Sequence, residues 1–229
     1  MATVLDREMF TEAEAARLLR LAQSTLNYWL EGGVRRGKKY KPVLRIESTG
    51  RRAVTWAEFV EAGLLRQYRR KLQVPMAELR AFIDLLRGSF GVPYPLADRR
   101  PFAVNRELVL EAQREAGLEP EFYLVAEISG QLLLTAPSEK FLERVEWDGD
   151  QAAGWRPASD EESPVRIRPD TRFGRPAVKG ISTAAIWEQH DSGDEVDDLA
   201  ALYQLTVSDV QWALSYEDSQ RAIGPARAA

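Results

Sequence analysis

Four neighbouring polar residues near the N-terminus have the types and spacing of side chains that contact base edges in DNA: Ser24, Thr25, Asn27 and Tyr28. An asparagine amide can pair with adenine through two hydrogen bonds, and a threonine methyl can contact a thymine methyl. The apolar residues between them, Leu26, Trp29 and Leu30, have helical spacing and are predicted to face a core. The pattern predicts a recognition helix. For each polar residue, an exposed helix surface or a cap remains the alternative.

A strongly basic stretch follows directly. Between Val34 and Arg52 a single acid, Glu47, stands against these cations: Arg35, Arg36, Lys38, Lys39, Lys41, Arg45, Arg51 and Arg52. We predict strands at Pro42–Glu47 and Ala53–Thr55, joined by a turn at Ser48–Gly50. Such a hairpin, or wing, would contact DNA phosphates. The alternative is a solvated surface hairpin.

Local signals predict the helices that must position these residues. Thr11, with Glu14 three residues later, predicts a capping box for a helix to Leu19. A break at 20–22 leads to a second helix, about Ser24–Leu30, capped by Gln23 or Ser24 and ended by two glycines. Two short helices joined by a tight turn are typical of a helix-turn-helix.

Further helices are predicted at Thr55 onward, with Glu58 completing a capping box, and at Met76–Leu86. A loop rich in glycine and proline at 88–95 predicts a domain boundary. The middle region, 101–155, is predicted to hold a strand at 102–104, a helix at 106–116, a hairpin at 122–135, and a strand or helix at 141–147. We interpret the polar segment 149–163 as a linker.

The C-terminal module, 164–217, is predicted to contain an extended lead-in and three short helices, Thr183–His190, Val196–Tyr203 and Val207–Tyr216. Thr206 and Asp209 have capping-box spacing. The tail, 218–229, has little to bury and is predicted to be mobile.

Composition limits the functional classes. The chain has no cysteine, which excludes disulfides and thiolate metal sites. No apolar run approaches the ~18 residues of a membrane helix, and no signal peptide is recognisable, so a cytoplasmic location is expected. Residues 1–100 carry 19 Lys/Arg and 11 Asp/Glu, whereas the rest carries 12 and 24. The basic half suits a polyanion, and the acidic half suits a protein partner or solubility.

Residues 10–70 resemble the MerR-like winged helix-turn-helix domains, on the strength of the run from Thr11 to Leu19, the run from Ser24 to Trp29, and Gly33. The resemblance implies that Ser24–Tyr28 enters the major groove and that the wing grips the backbone. The sequence departs from that pattern in its longer, more basic wing and in the lack of a long dimerisation coiled coil. Metal or drug sensing of the usual kind is therefore not implied.

Residues 164–217 resemble the family called "domain of unknown function 433". The resemblance rests on Ile167, the run Phe173–Gly180, Thr183, Ile186, Trp187, and matching positions from Asp198 to Leu214. It implies a small, homeodomain-like helical fold associated with antitoxins. The whole arrangement is similar to VapB-type antitoxins, which implies a PIN-domain ribonuclease toxin as partner and autoregulation of a shared operon. We predict that Arg221 or Arg227 in the tail reaches the acidic site of that toxin; a tail without a role is the alternative.

Catalysis has little support in the sequence. The single histidine, His190, lies beside Asp191 near an expected helix end and is interpreted as a cap. The acids Asp194, Glu195, Asp197 and Asp198 suit a solvated helix start. We find no P-loop, G-x-S-x-G or G-x-G-x-x-G motif. The protein is therefore expected not to be an enzyme and to need neither metal nor cofactor.

The sequence thus predicts an α+β, mostly helical protein with three parts: a winged helix-turn-helix (1–95), a small mixed α/β middle region, and a homeodomain-like three-helix module. We expect a homodimer that binds operator DNA and neutralises a PIN-domain toxin. The alternative is a stand-alone MerR-like transcriptional regulator with a small-molecule effector, bound in the middle region. Loop residues Arg172, Arg175 and Lys179 are interpreted as a structural lead-in, with an anion contact as the alternative.

Overall fold

The computed structural model describes residues 3–35, 37–67, 69, 73–98, 106–128, 131–135, 139–140, 142–158 and 160–222. Its contacts divide the chain into two units, Met1–Ala152 and Ala153–Ala229. The described residues form a mixed α/β protein, about half helical, with eight α-helices and small two-stranded sheets. None of the helices in these ranges is both long and apolar enough to cross a membrane.

The N-terminal unit begins with a 3-10 turn at Val4–Asp6. Its further elements in chain order are β1 (Glu8–Thr11), α1 (Glu12–Leu18), α2 (Gln23–Glu31), β2 (Gly33–Arg35), β3 (Lys38–Tyr40), β4 (Ala53–Thr55), α3 (Trp56–Gln67) and α4 (Met76–Phe90). The predicted capping box of α1 is confirmed: Glu14 N donates to Thr11 Oγ1 at 3.2 Å, and Thr11 N to Glu14 Oε2 at 2.9 Å. The box at Thr55 and Glu58, which begins α3, is confirmed as well.

The predicted position of the wing hairpin is wrong. Residues 43–47 form bends rather than a strand, and β4 pairs antiparallel with β1, where Phe10 lies opposite Val54. The hairpin lies earlier, with β2 paired to β3 and Val34 opposite Lys39. The reason is that Val43 and Leu44 are fully buried and their amides donate to Trp29 O at 2.8 and 3.0 Å, so this segment is held against α2.

The core of this unit forms around α3, whose apolar residues are almost all buried. Phe59 contacts Phe10 with ring centroids 4.7 Å apart, and it stacks on Trp56 at 5.6 Å. Trp56 Nε1 donates to Ala152 O at 2.6 Å, so the last residues of the unit close against its first half. The boundary predicted at 88–95 lies inside this unit, and α4 continues to Phe90, where Gly91 ends it in the left-handed conformation.

The middle region contributes α5 (Arg106–Glu115), a 3-10 turn at Pro120–Phe122, and strands β5 (Val125–Ile128), β6 (Gln131–Leu134), β7 (Val145–Asp148) and β8 (Gln151–Trp155). The predicted helix and the β5–β6 hairpin are confirmed. Buried Gln113 joins them, because its side chain donates to Val125 O at 2.9 Å and accepts from Leu124 N at 2.6 Å. The linker interpretation is wrong for 151–155, which form β8. The strand predicted at 102–104 lies outside the described residues.

The C-terminal unit holds β9 (Ala177–Val178), β10 (Ile181–Ser182), α6 (Thr183–Asp191), α7 (Val196–Tyr203) and α8 (Val207–Ala222). Its core contains Val165, Val178, Ile186, Leu199, Val210 and Leu214. The predicted capping box of α8 is confirmed, with Asp209 N donating to Thr206 Oγ1 at 3.1 Å. The tail prediction is wrong for 218–222, because α8 continues to Ala222 with Glu217 and Gln220 buried.

Candidate nucleic-acid interface

Helices α1 and α2 are joined by a turn at 19–22. Arg20 has a φ of 52°, and Leu21 N donates to Ala16 O at 2.8 Å, which closes the turn tightly. The predicted inward face of α2 is confirmed, since Leu26, Trp29 and Leu30 are at most 3% exposed. The predicted side-chain cap is wrong: α2 begins after Ala22, whose side chain makes no capping hydrogen bond.

The four predicted recognition residues all lie on α2 but differ in their exposure to solvent. Ser24 and Asn27 are exposed, and Thr25 and Tyr28 are half-buried. Asn27 Nδ2 donates to both carboxylate oxygens of Glu12, at 3.1 and 3.3 Å. The amide of Asn27 is therefore oriented by α1, and its oxygen is the acceptor left for a base edge.

The β2–β3 hairpin places its lysines beside α2. Lys38, Lys39 and Lys41 are exposed. Tyr40 joins the hairpin to the helix, because its ring meets that of Tyr28 edge-on at 6.3 Å. Lys38 Nζ and Arg80 Cζ lie 5.6 and 5.7 Å from the centre of the Tyr40 ring. Tyr28 of α2 and the hairpin residues Lys38 and Tyr40 therefore lie side by side, while the partly buried Arg80 packs against the Tyr40 ring.

Arg45 does not share the exposure of the hairpin lysines. Arg45 is only 8% exposed to solvent. Its guanidinium donates to Glu58 Oε1 at 2.7 Å, to Ala53 O at 2.7 Å, and also to Glu31. Burial opposes the charge, but the hydrogen bonds and charges of Glu58 and Glu31 outweigh it and raise the pKa of Arg45. Arg45 is thus an internal cation that cannot reach a phosphate, and the prediction that placed it in the wing is corrected.

Glu31 is the second centre of this buried network. Its carboxylate accepts from Thr49 N and Gly50 N, both at 2.8 Å, and from the Ser48 hydroxyl at 2.5 Å. Partial burial alone would raise its pKa, but these hydrogen bonds and Arg45 hold the pKa below its usual value. The last residue of α2 therefore fixes the turn at 48–50.

Of the remaining predicted DNA-binding residues, Arg51 and Arg52 are exposed, the backbone of Arg35 lies in β2, and Arg36 lies outside the described residues.

Gly32 sets the distance between α2 and the hairpin. It has a φ of 72°, and a Cβ there would lie 2.3 Å from Tyr40 O and 2.9 Å from Lys41 C. Gly37, in the hairpin turn, has a similar φ of 75° but open space around it.

We expect Gly32→Ala to destabilise the protein by about 2 kcal/mol or more, because both the backbone conformation and the approach to the β3 backbone become unfavourable. Gly37→Ala also places an alanine in a left-handed conformation but meets no close backbone atom, so it should destabilise the protein by about 1 kcal/mol. Urea unfolding of both variants measures the difference. Equal effects would show that the close approach at Gly32 does not limit its side chain.

Within the C-terminal unit, Arg221, one of the two arginines predicted to contact a toxin, has an aromatic partner. Arg221 lies in α8 with its guanidinium carbon 3.4 Å from the centre of the Trp187 ring, and Trp187 Nε1 donates to Asp218 Oδ1 at 2.7 Å. The prediction of a mobile Arg221 is therefore corrected, because a cation–π interaction and the helix hold it. Arg227 lies outside the described residues.

Lys179 and Arg172, two of the loop residues singled out from the sequence, have structural partners. Lys179 Nζ donates to Asp209 Oδ2 at 2.7 Å, and Arg172 Nε donates to Gly180 O at 2.8 Å. Burial would raise the pKa of Asp209, but hydrogen bonds from Lys179 and Thr206 outweigh it and lower the pKa. His190 Nδ1 lies 2.9 Å from Asp194 O, so its ring contacts the loop that follows α6, whereas the C-cap residue of that helix is Ser192.

Comparison with known proteins finds a family domain in the C-terminal unit, a relative similar over almost the whole chain, and a solved structure of similar fold. The family model described as "Protein of unknown function (DUF433)" matches residues 165–216, so the C-terminal unit contains this domain. The uncharacterized protein Rv2308 of Mycobacterium tuberculosis is 33% identical over 227 residues, which cover 96% of this chain and 94% of that protein. The chain belongs to the Rv2308 family. The crystal structure of Rv2018 from Mycobacterium tuberculosis, 24% identical, matches 92% of this chain and 99% of its own with a TM-score of 0.73, so this member of the Rv2308 family has the same fold.

Two residues that pack beside α2 and the hairpin of this Rv2308-family protein, Tyr40 and Arg80, were not predicted from the sequence. Tyr40 stands inside the basic stretch, and Arg80 lies on α4, far away along the chain. Gly37, a turn-forming residue inside the basic stretch, could have indicated the earlier hairpin. No sequence signal connects Arg80 with Tyr40, because their proximity depends on how α4 packs.

Proposed function

We propose that this protein binds double-stranded DNA through a winged helix-turn-helix of the MerR-like kind. The observation that carries the proposal is the contact between Tyr28 of α2 and Tyr40 of the hairpin, which places α2 beside the exposed lysines of that hairpin. Ser24 and Asn27 offer groups that read base edges, and the lysines offer charges that neutralise phosphates. The proposed DNA-contacting set is Ser24, Thr25, Asn27, Tyr28, Arg35, Arg36, Lys38, Lys39, Lys41, Arg51 and Arg52.

Salt dependence tests the lysines. A Lys38→Gln/Lys39→Gln/Lys41→Gln variant should reduce the slope of log affinity against log salt by about 0.9 for each phosphate that the protein no longer neutralises. The weakening should be similar for every DNA sequence. Fluorescence anisotropy measures it, with a duplex from the region upstream of the protein's own gene and a scrambled duplex of equal length. Lys140→Gln, at an exposed lysine of the middle region, is the matched control.

Asn27→Ala should instead reduce the preference for the upstream duplex over the scrambled one, by about 1 kcal/mol for the one hydrogen bond that the Asn27 oxygen can accept from a base. Glu12→Gln keeps an acceptor for the Asn27 amide and should have a smaller effect. An unchanged slope in the lysine variant would contradict the proposal for the hairpin. An unchanged sequence preference in the Asn27 variant would contradict it for α2.

We further propose that the protein acts as a type II antitoxin of the VapB kind, which represses its own operon and neutralises a PIN-domain ribonuclease. This rests on the resemblance of the two ends of the chain to such antitoxins and on the presence of the DUF433 domain. Purification from the native host, followed by mass spectrometry, tests it. A PIN-domain protein at fixed stoichiometry, whose ribonuclease activity falls when this chain is added, supports the proposal. Recovery of the chain alone contradicts it.

A stand-alone regulator with a small-molecule effector is the second candidate, and one observation favours it. A cleft of about 390 Å³ in the N-terminal unit is lined by Leu44, Pro93 and Tyr94 together with Glu8, Arg51 and Glu58. That volume is within the range of small-molecule sites, and the mixed lining suits an amphipathic ligand. The cleft is lined by residues between 8 and 94 rather than by the middle region, where the effector was expected from the sequence.

A further inference from the structure

One loop of the C-terminal unit holds a phenylalanine out into solvent. Phe173 is 79% exposed and follows Arg172; both have left-handed backbones, with φ of 55° and 48°. The loop is pinned, because Arg172 Nε donates to Gly180 O at 2.8 Å and Gly174 N donates to Thr171 O at 3.0 Å. Arg175, two residues after the phenylalanine, is exposed as well.

This arrangement is unfavourable for an isolated unit. A left-handed backbone is strained for a residue with a Cβ. Burying a phenylalanine side chain is strongly favourable, but the ring of Phe173 is left largely in contact with water. Aromatic side chains and arginines are the residues that dominate protein interfaces. The loop 172–175 therefore has the composition and the rigidity of an interface anchor.

The same unit carries a surface complementary to this anchor. On α7, Asp198 and Leu202 are four residues apart and share one face. Leu202 is 62% exposed, and Asp197 and Asp198 are exposed without an ion pair among the described residues. An apolar side chain beside carboxylates matches an aromatic ring beside guanidinium groups, in both polarity and charge.

We propose that loop 172–175 of one molecule docks on the exposed face of α7 of a second copy of this chain, so that Phe173 covers Leu202 and Arg175 lies near Asp198. In a two-fold dimer each molecule provides both surfaces, so the interaction is made twice. The copy is favoured over an unrelated partner because both complementary surfaces are present on this chain. This dimer interface goes beyond DNA binding and does not depend on it.

Sedimentation of the full chain over a wide concentration range tests the proposal. The wild type should associate to a dimer. Phe173→Asp should weaken that association by about 100-fold, because both copies of the ring are removed from the interface. Aspartate tolerates the left-handed conformation better than phenylalanine, so the variant should keep its fold, which circular dichroism checks. Ile46→Asp, at a 70% exposed residue of the N-terminal unit, is the matched control and should leave the dimer intact.

Reversing the charges of Arg175 and Asp198 tests whether loop 172–175 binds α7 of a second copy. Arg175→Glu and Asp198→Arg should each weaken the dimer several-fold, and the double variant should restore it. A wild type that is monomeric at every concentration overturns the proposal, as does a Phe173→Asp variant that dimerises as tightly as the wild type. A double variant no tighter than the single ones also overturns it, because the second copy's α7 is then not what loop 172–175 binds.

Discussion

Arg45→Met should destabilise the protein by about 3–5 kcal/mol, the usual cost of removing one partner from a buried ion pair. The side chains of Arg45, Glu31 and Glu58 are 7%, 13% and 5% exposed. Removal of the guanidinium leaves two carboxylates largely shielded from water with no cation beside them. Ala53 O and Arg51 O are also deprived of this donor. Urea unfolding followed by tryptophan fluorescence measures the change.

Arg52→Met provides the control for this variant. Arg52 belongs to the same basic stretch but is exposed, so its replacement should change stability by no more than about 0.5 kcal/mol. DNA affinity adds a second readout, since Arg52 is in the proposed DNA-contacting set and Arg45 is not. If the two variants unfolded at the same urea concentration, the buried role of Arg45 would be refuted.

The stability of the wild type should fall as pH rises from about 4.5 to about 7, and Glu61→Gln should remove much of that fall. Glu61 is fully buried, and burial raises its pKa to about 7 even though Arg87 and Leu96 N oppose the shift. Leu96 N donates to Glu61 Oε1 at 3.0 Å, whereas Arg87 Nη2 lies 3.8 Å from Oε2. One carboxylate oxygen therefore has only a distant cation beside it.

The sign follows from proton binding. Between the unfolded pKa near 4.5 and the folded pKa near 7, the folded protein keeps a proton on Glu61 that the unfolded chain releases. Raising the pH through this window therefore favours unfolding, by roughly 3 kcal/mol in total, and above it the effect is constant. Urea unfolding from pH 5 to pH 8 measures the slope.

Glu139→Gln, at an exposed carboxyl of the middle region, should leave the slope of the wild type unchanged. The depressed pKa values of Glu31 and Asp209 act in the opposite direction and at more acid pH, where protonation of these groups costs stability. They are common to wild type and variant, so the comparison cancels them. A Glu61→Gln protein with the slope of the wild type would show that Glu61 does not titrate in this window.

Signals between residues three or four positions apart were sufficient to predict much of the helical structure. The capping boxes at Thr11, Thr55 and Thr206 all occur as predicted, because the bonded groups are brought together by the helix turn itself. The inward face of α2 was predictable for the same reason, since a period of 3.6 fixes which side chains share a face. The DUF433 domain was recognisable because its motif is continuous along the chain.

Pairing over long distances was decided only by the tertiary structure. The sequence of β4 suits a strand, but nothing local indicates that its partner is β1, over forty residues earlier, rather than the nearby segment 42–47. Arg45 is indistinguishable in sequence from the arginines around it, and only the approach of Glu31 and Glu58 makes it an internal cation. Arg221 likewise has the sequence setting of a tail residue, and only the position of Trp187 gives its guanidinium a partner. A side chain's type determines which interactions it can make, and the packing of distant elements determines which of them it makes.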